Sequence, residues 1–248
     1  MENQTILVGG ISNREFLERH AQPGRVGLCG GSTSVDLVIR RAQRRLHEAG
    51  RWSDWSHAFL FEGLRADGRH WVVESDLQIL RRHLQLGAQE NRIAKYFDEK
   101  IFPTLAVLDF GLSAAQVATL LREGLELVAN HERYSLREVA GSLVALRRPE
   151  LRAQENILAR ERSAYCSAFV QRLFHQAGID LAPGVAGKNT TPEDLARTPV
   201  PHVTYLLQRE TAPGKVAELK TKIQHRVRSS LGKIKGRGRA VTDQHSAR

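Results

Sequence analysis

The chain has 248 residues, of which 41% are hydrophobic and 26% are charged, with 20 Gly, 8 Pro and 2 Cys. This length can bury a substantial core, and the composition excludes collagen, a disulfide scaffold and wholesale disorder. No apolar stretch approaches about 18 residues, so we expect no transmembrane helix. The first ten residues lack the features of a secretory signal. We therefore expect a cytoplasmic protein, and export by a signal-independent system stays open.

The net charge of +10 is concentrated at the end of the chain. Residues 214–248 carry +8, which leaves only +2 for the preceding 213 residues. Within residues 211–248 we predict a basic amphipathic helix and then a disordered tail, which could lie on an anionic membrane surface. No aromatic residue follows Tyr205, so we do not expect specific nucleic-acid binding through base stacking.

Capping residues, glycines and hydrophobic periodicity predict the elements of the first half. Ser12 and Glu15 have the spacing of a capping box, and aromatic and β-branched residues flank Ala66-Asp67-Gly68, as in a β-hairpin. The predicted elements are a helix from Ser12 to about His20, a strand over Arg25–Cys29, a helix from Ser32 to about Gly50, a hairpin of His57–Gly63 and Arg69–Ser75, and a mostly helical stretch over residues 76–101.

Helices dominate the second half, where serine and threonine residues stand at candidate N-caps. Pro192 follows Thr191, as expected at the first position of a helix. The predicted elements are a strand over Thr104–Phe110, helices over Ser113–Ala129, Ser135–Leu146 and Ser163–Gly178, a helix start at Thr191 and a strand over His202–Gln208.

Cys166 is the candidate nucleophile. It follows a plausible N-cap, Ser163, in the first turn of a predicted helix. Unpaired amides and the helix dipole at such an end stabilise a thiolate, and the amides next to Tyr165 and Cys166 could hold the oxygen of a carbonyl under attack. The alternative is that Cys166 is a small, inert core residue, as many free cysteines are.

His57 begins the first strand of the predicted hairpin, where an imidazole could exchange a proton with a thiol. A third group should orient the imidazole, and Glu74 and Asp76 share one parity on the second strand. The register decides which of them lies opposite His57, and it stays open here, as does a solvent-exposed Glu74. The sequence calls for no cofactor, and with no CxxC pair we expect no zinc site.

These residues resemble the circularly permuted branch of the NlpC/P60 papain-like superfamily, the YiiX-like or YaeF-like group, to which lecithin retinol acyltransferases are more distantly related. In that group the histidine strand precedes the cysteine helix. The matching segments are Gly24–Cys29, Trp55–Gly63, Trp71–Ser75, Tyr165–Val170 and Thr191–Leu195. The chain differs at Ala168, where many members have an acidic residue.

The resemblance implies an α+β, permuted papain-like fold, with an antiparallel sheet or small barrel packed against helices. It assigns Cys166 as nucleophile, His57 as base and Glu74 as the third member of the triad. We expect an N-terminal segment over residues 1–22, a catalytic domain over residues 23–210 and the basic tail over residues 211–248.

The expected activity is hydrolysis of a peptide or other amide bond through a thioester. The same triad could instead act on a lipid ester as a phospholipase or acyltransferase. A third alternative is a non-enzymatic protein that binds anionic surfaces through the tail.

Overall fold

The computed structural model describes residues 3–47, 50–80, 83–130, 146, 151–153 and 165–209. Within them, strands and helices combine into an α+β fold, as predicted. The strands are β1 (Gln4–Val8), β2 (Val26–Gly30), β3 (His57–Leu64), β4 (His70–Leu80), β5 (His83–Arg92), β6 (Thr104–Asp109) and β7 (Val203–Gln208). The α-helices are α1 (Asn13–His20), α2 (Ser34–Ala42), α3 (Ala114–Ala129), α4 (Cys166–Gln176) and α5 (Pro192–Ala196). Short 3₁₀ helices span Gln43–Leu46, Ile93–Tyr96 and Gly187–Asn189.

The strands form one seven-stranded mixed sheet in the order β1-β7-β6-β2-β3-β4-β5. β1 pairs in parallel with β7, and the other neighbours are antiparallel. Gln4–Val8, from the predicted N-terminal segment, is therefore an edge strand of the same sheet as the predicted domain.

Both faces of the sheet are covered, because side chains alternate along each strand. On one face, Leu28 and Leu60 pack with buried residues of α3 and α4 such as Phe169. On the other, Cys29 and Phe59 pack with α1 and the Ile93–Tyr96 helix. The central strands β2 and β3 thus lie between two apolar layers, which fixes where their ends lie.

The local signals near the helix starts are confirmed. Capping boxes begin α1 at Ser12, α2 at Thr33, α3 at Ser113 and α5 at Thr191. In each box the cap hydroxyl accepts a hydrogen bond from the third helical amide, and that residue's side chain binds the cap backbone. The hairpin is also confirmed, since β3 and β4 are antiparallel neighbours.

The prediction of a mostly helical stretch over residues 76–101 is wrong. β4 continues to Leu80, and β5 pairs with it from Trp71↔Arg92 to Leu80↔His83. The sequence carries a signal for this long hairpin, since polar and apolar residues alternate in Asp76–Ile79 and again in His83–Leu86. Among the described residues of this stretch, only Ile93–Tyr96 is helical, as a 3₁₀ helix.

A β-bulge in the hairpin sets the register on which the candidate site depends. The pairs Gly63↔Trp71 and Phe61↔Val72 differ in register by one residue. Without the bulge, the first register would continue and place residue 77 opposite His57, with Glu74 on the other face. The bulge instead brings Glu74 onto the face that His57 occupies.

α2 is short and shows its apolar residues to solvent. It ends at Ala42 and continues as a 3₁₀ helix to Leu46, short of the predicted end near Gly50. None of its residues is buried, and Val35 and Val38 are 57% and 54% exposed. The apolar residues whose spacing predicted this helix are therefore not packed into the core.

Three predictions lie outside the described residues: the helix over Ser135–Leu146 apart from Leu146 itself, the capping role of Ser163, and the basic tail over residues 211–248. In the part of the chain that is described, no helix has the length and apolar character needed to cross a bilayer.

Gly63 should be critical to the bulge. Its φ is 105°, and a Cβ atom there would lie 2.7 Å from Pro23 Cγ. Gly68 in the same hairpin also has a positive φ, 72°, but a Cβ would meet no atom of the described residues within 4 Å. We expect Gly68→Ala to cost about 1 kcal/mol of unfolding free energy and Gly63→Ala about 2–4 kcal/mol, as measured by urea denaturation. Equal losses would contradict the special role of Gly63.

Candidate active site

Cys166 is the first residue of α4, and the buried helix holds it in place. Tyr165 is the N-cap in extended conformation, and its side chain makes no capping hydrogen bond. The Ser167 hydroxyl donates to the carbonyl oxygen of Thr190 at 2.7 Å, which anchors the first turn. The Phe169 amide closes the first helical turn on the Tyr165 carbonyl. The amides before Phe169 therefore have no acceptor within the helix.

His57 is the first residue of β3, opposite Cys29 of β2. The neighbouring Ser56 holds this strand end, because its backbone amide donates to the Cys29 carbonyl at 2.9 Å and its hydroxyl accepts from the Gly31 amide at 2.9 Å. The imidazole lies beside the stacked rings of Phe59 and Tyr96, 6.2 Å from the Tyr96 centroid and 6.1 Å from that of Phe59. These rings form one side of its surroundings.

Glu74 is fully buried and holds the imidazole. Its Oε2 lies 2.5 Å from His57 Nε2 and also accepts from the Tyr96 hydroxyl. Its Oε1 accepts from Asn91 Nδ2 and from Lys95 Nζ, each at 2.7 Å. Burial alone would raise the pKa of this carboxyl, but the interactions with His57 and Lys95 lower it far below its usual value. Glu74 is therefore ionised.

The Cys166 side chain lies next to His57 and interacts with its imidazole. Since Nε2 of the ring faces Glu74, Nδ1 is the nitrogen that remains for the sulfur. Burial would lower the pKa of the imidazole, but the interactions with Cys166 and Glu74 outweigh burial and raise it well above its ordinary value. The protonated ring is therefore favoured between two acidic groups.

The structure thus brings Cys166, His57 and Glu74 together, while Asp76 lies one contact further away. The Asp76 carboxylate binds Lys95. Of the two carboxylates that the sequence leaves open, Glu74 is therefore the one that can orient His57, because it contacts the imidazole.

The second cysteine has a different environment. Cys29 is fully buried in the sheet, and burial raises the pKa of its thiol well above the ordinary value. This favours the neutral thiol, which is a poor nucleophile.

Sequence reasoning missed three residues around Glu74: Asn91, Lys95 and Tyr96. They follow from β5 and its 3₁₀ helix, which the incorrect helical prediction concealed. The alternation of polar and apolar residues in β4 and β5 was the available signal for the strands, but no local pattern marked Lys95. Among the residues that the structure describes, no group of three or more His, Cys, Asp or Glu could hold a metal ion.

Neither a protein-family model nor a curated protein matched this chain. The function is therefore inferred from the geometry of the site. In this site a thiol neighbours an imidazole, which in turn neighbours a buried carboxylate. Such an arrangement can pass a proton from sulfur to nitrogen while the carboxylate holds the ring.

Cys166 should react with a small neutral alkylating reagent much faster than Cys29. Cys166 is half-buried beside an imidazole that can take its proton, whereas Cys29 is inaccessible. Peptide mass spectrometry at pH 6 should show modification of Cys166 first, and similar rates for both thiols after denaturation. His57→Ala should slow the Cys166 reaction by about 10-fold or more. An unchanged rate in that variant would contradict the pairing.

Proposed function

We propose that this protein is a cysteine hydrolase that cleaves an amide bond through a thioester, with Cys166 as nucleophile, His57 as acid and base, and Glu74 as the residue that orients His57. The observation that carries the proposal is the continuous contact from the half-buried Cys166 through His57 to the fully buried Glu74. A charged carboxylate is costly to bury, and here its position serves to hold an imidazole beside a thiol.

In the proposed acylation step, the sulfur of Cys166 attacks the carbonyl carbon of the substrate and forms a tetrahedral intermediate. The amides at the start of α4, next to Tyr165, are suited to binding the oxyanion because they have no acceptor within the helix. The intermediate collapses as the carbon–nitrogen bond breaks, and the protonated His57 gives its proton to the leaving amine.

Deacylation uses the same residues in reverse. Neutral His57 takes a proton from water as the water oxygen attacks the thioester carbon. The carbon–sulfur bond then breaks, the acid product leaves, and Cys166 returns to the thiolate beside protonated His57. Glu74 stays ionised throughout and keeps Nε2 engaged, so that Nδ1 continues to face the sulfur.

The order of these elements supports placing the chain among the permuted NlpC/P60 papain-like enzymes of the YiiX-like group. The histidine strand β3 comes before the cysteine helix α4, and α4 packs on the sheet through residues such as Phe169 and Val170.

One observation favours a second candidate, a phospholipase or acyltransferase that uses the same triad on a lipid ester. Val35 and Val38 of α2 are exposed, and Arg41, Arg44 and Arg45 follow them. An exposed apolar stripe beside basic residues is typical of helices that lie on anionic membranes. α2 also begins close to the Gly31 amide that binds Ser56, the neighbour of His57.

Acyl trapping should separate these functions. We expect incubation of the full chain with a cell lysate, followed by acid quenching, to leave an acyl adduct on Cys166 that hydroxylamine removes, as expected for a thioester. A peptide-derived adduct supports the amidase, and a fatty acyl adduct supports the lipid enzyme. Cys166→Ala should carry no adduct. Absence of any hydroxylamine-sensitive adduct in the wild-type protein, under conditions where Cys166 is alkylated, would favour the non-enzymatic alternative.

A further inference from the structure

The proposed triad is part of a longer series of contacts between charged groups. Lys95 Nζ donates to Glu74 Oε1 at 2.7 Å and also to the Asp76 carboxylate. The contacts therefore run from Asp76 through Lys95, Glu74 and His57 to Cys166. In the thiolate–imidazolium state, the charges along this series alternate in sign.

Lys95 is held in this position by several contacts. It lies in the 3₁₀ helix Ile93–Tyr96, whose Ile93 and Tyr96 side chains are buried. Asn13 Nδ2 donates to the Tyr96 carbonyl at 3.0 Å, which ties this helix to α1. The Lys95 ammonium also lies 5.2 Å from the Tyr96 ring centroid. Because Asp76 and Glu74 both accept from Nζ, the position of the ammonium does not depend on a single partner.

Glu74 would hold the proton of His57 more strongly if its full negative charge acted on the ring alone. Lys95 shares that charge from the opposite oxygen, since Lys95 binds Oε1 while His57 binds Oε2. Asp76 in turn offsets part of the Lys95 charge. The imidazole must both keep and release its proton during the proposed reaction, so this balance matters for its chemistry.

We propose that Lys95 is a positioning residue which acts through Glu74 to weaken the hold of the carboxylate on the His57 proton, and that Asp76 reduces this effect by offsetting part of the Lys95 charge. This inference rests on the proposed function, since only in a catalytic cysteine–histidine pair does the ease of proton release affect turnover. It assigns Asp76 a role different from that of the third triad member.

Neighbouring titratable groups add no charge that would change the balance among Asp76, Lys95, Glu74, His57 and Cys166. Cys29 from β2 and Tyr96 are fully buried, and burial raises the pKa of each well above its ordinary value, so both are neutral near pH 7. Asp36 of α2 acts electrostatically on Cys29, and its carboxylate is hydrogen-bonded in the capping box at Thr33. The pKa of Lys95 is raised because Glu74 and Asp76 outweigh the effect of burial, so its ammonium is charged.

The test is the pH profile of Cys166 alkylation, which needs no substrate. Lys95→Met removes a positive charge, so the site should bind protons more tightly. The acid limb of the profile should then move to higher pH by about 0.5–1 unit, which corresponds to about 3- to 10-fold slower alkylation on that limb. Lys95→Arg should restore the wild-type profile. Asp76→Asn removes a negative charge and should move the limb to lower pH. Lys100→Met removes an exposed lysine from a nearby segment and should leave the profile unchanged.

Opposite shifts in Lys95→Met and Asp76→Asn support the proposal, because general damage to the fold would not reverse sign between them. If Lys95→Met does not fold, the Asp76→Asn arm still decides. An unmoved limb in Asp76→Asn, or a shift to higher pH, would overturn the proposal, and so would a Lys95→Met profile identical to wild type. These outcomes are separate from the acyl-trapping result, which tests hydrolysis itself.

Discussion

The hydrogen bond between His57 and the buried Glu74 is the interaction around which the candidate site is organised. A carboxylate with no exposure to water must find its donors within the protein, and Glu74 finds them on His57, Asn91, Lys95 and Tyr96. These donors come from β3, from β5 and from the 3₁₀ helix that follows β5. β5 and the 3₁₀ helix that follows it are therefore needed at the site, because together they provide three of the four donors to this buried carboxylate.

The two apolar layers explain how distant segments meet at this carboxylate. α4 packs on one face of the sheet, and its first residue, Cys166, reaches the end of β3 where His57 begins. The aromatic layer on the other face, with Phe59 and Tyr96 stacked at 4.3 Å, lies beside the imidazole. The site thus lies at a strand end between the layers, and packing on both faces restricts its geometry.

Local chemistry in the sequence predicts some parts of this arrangement and misses others. Caps and periodicity predict a helix with Cys166 in its first turn and a strand that starts at His57. They also predict that Glu74 and Asp76 lie on the same face of the second strand. The face of β4 that meets His57 cannot be predicted in this way, because it depends on a one-residue bulge with a positive φ at Gly63 beside Pro23. Asp76 shares that face, and only the side-chain contacts distinguish it from Glu74. Lys95 and Tyr96 were missed because strand pairing between β4 and β5 decides their position, and the helical prediction over residues 76–101 ignored that pairing.

The most direct test of this account is the titration of the His57 ring by nitrogen NMR in histidine-labelled protein, with the signal assigned from a His57→Asn variant. An isolated histidine loses its proton at about pH 6.5. The account predicts that the His57 midpoint lies well above this value, and that it falls clearly in Glu74→Gln, where the charged partner is lost but the shape is kept. A His57 ring that titrates near pH 6.5 in both the wild type and Glu74→Gln would contradict it.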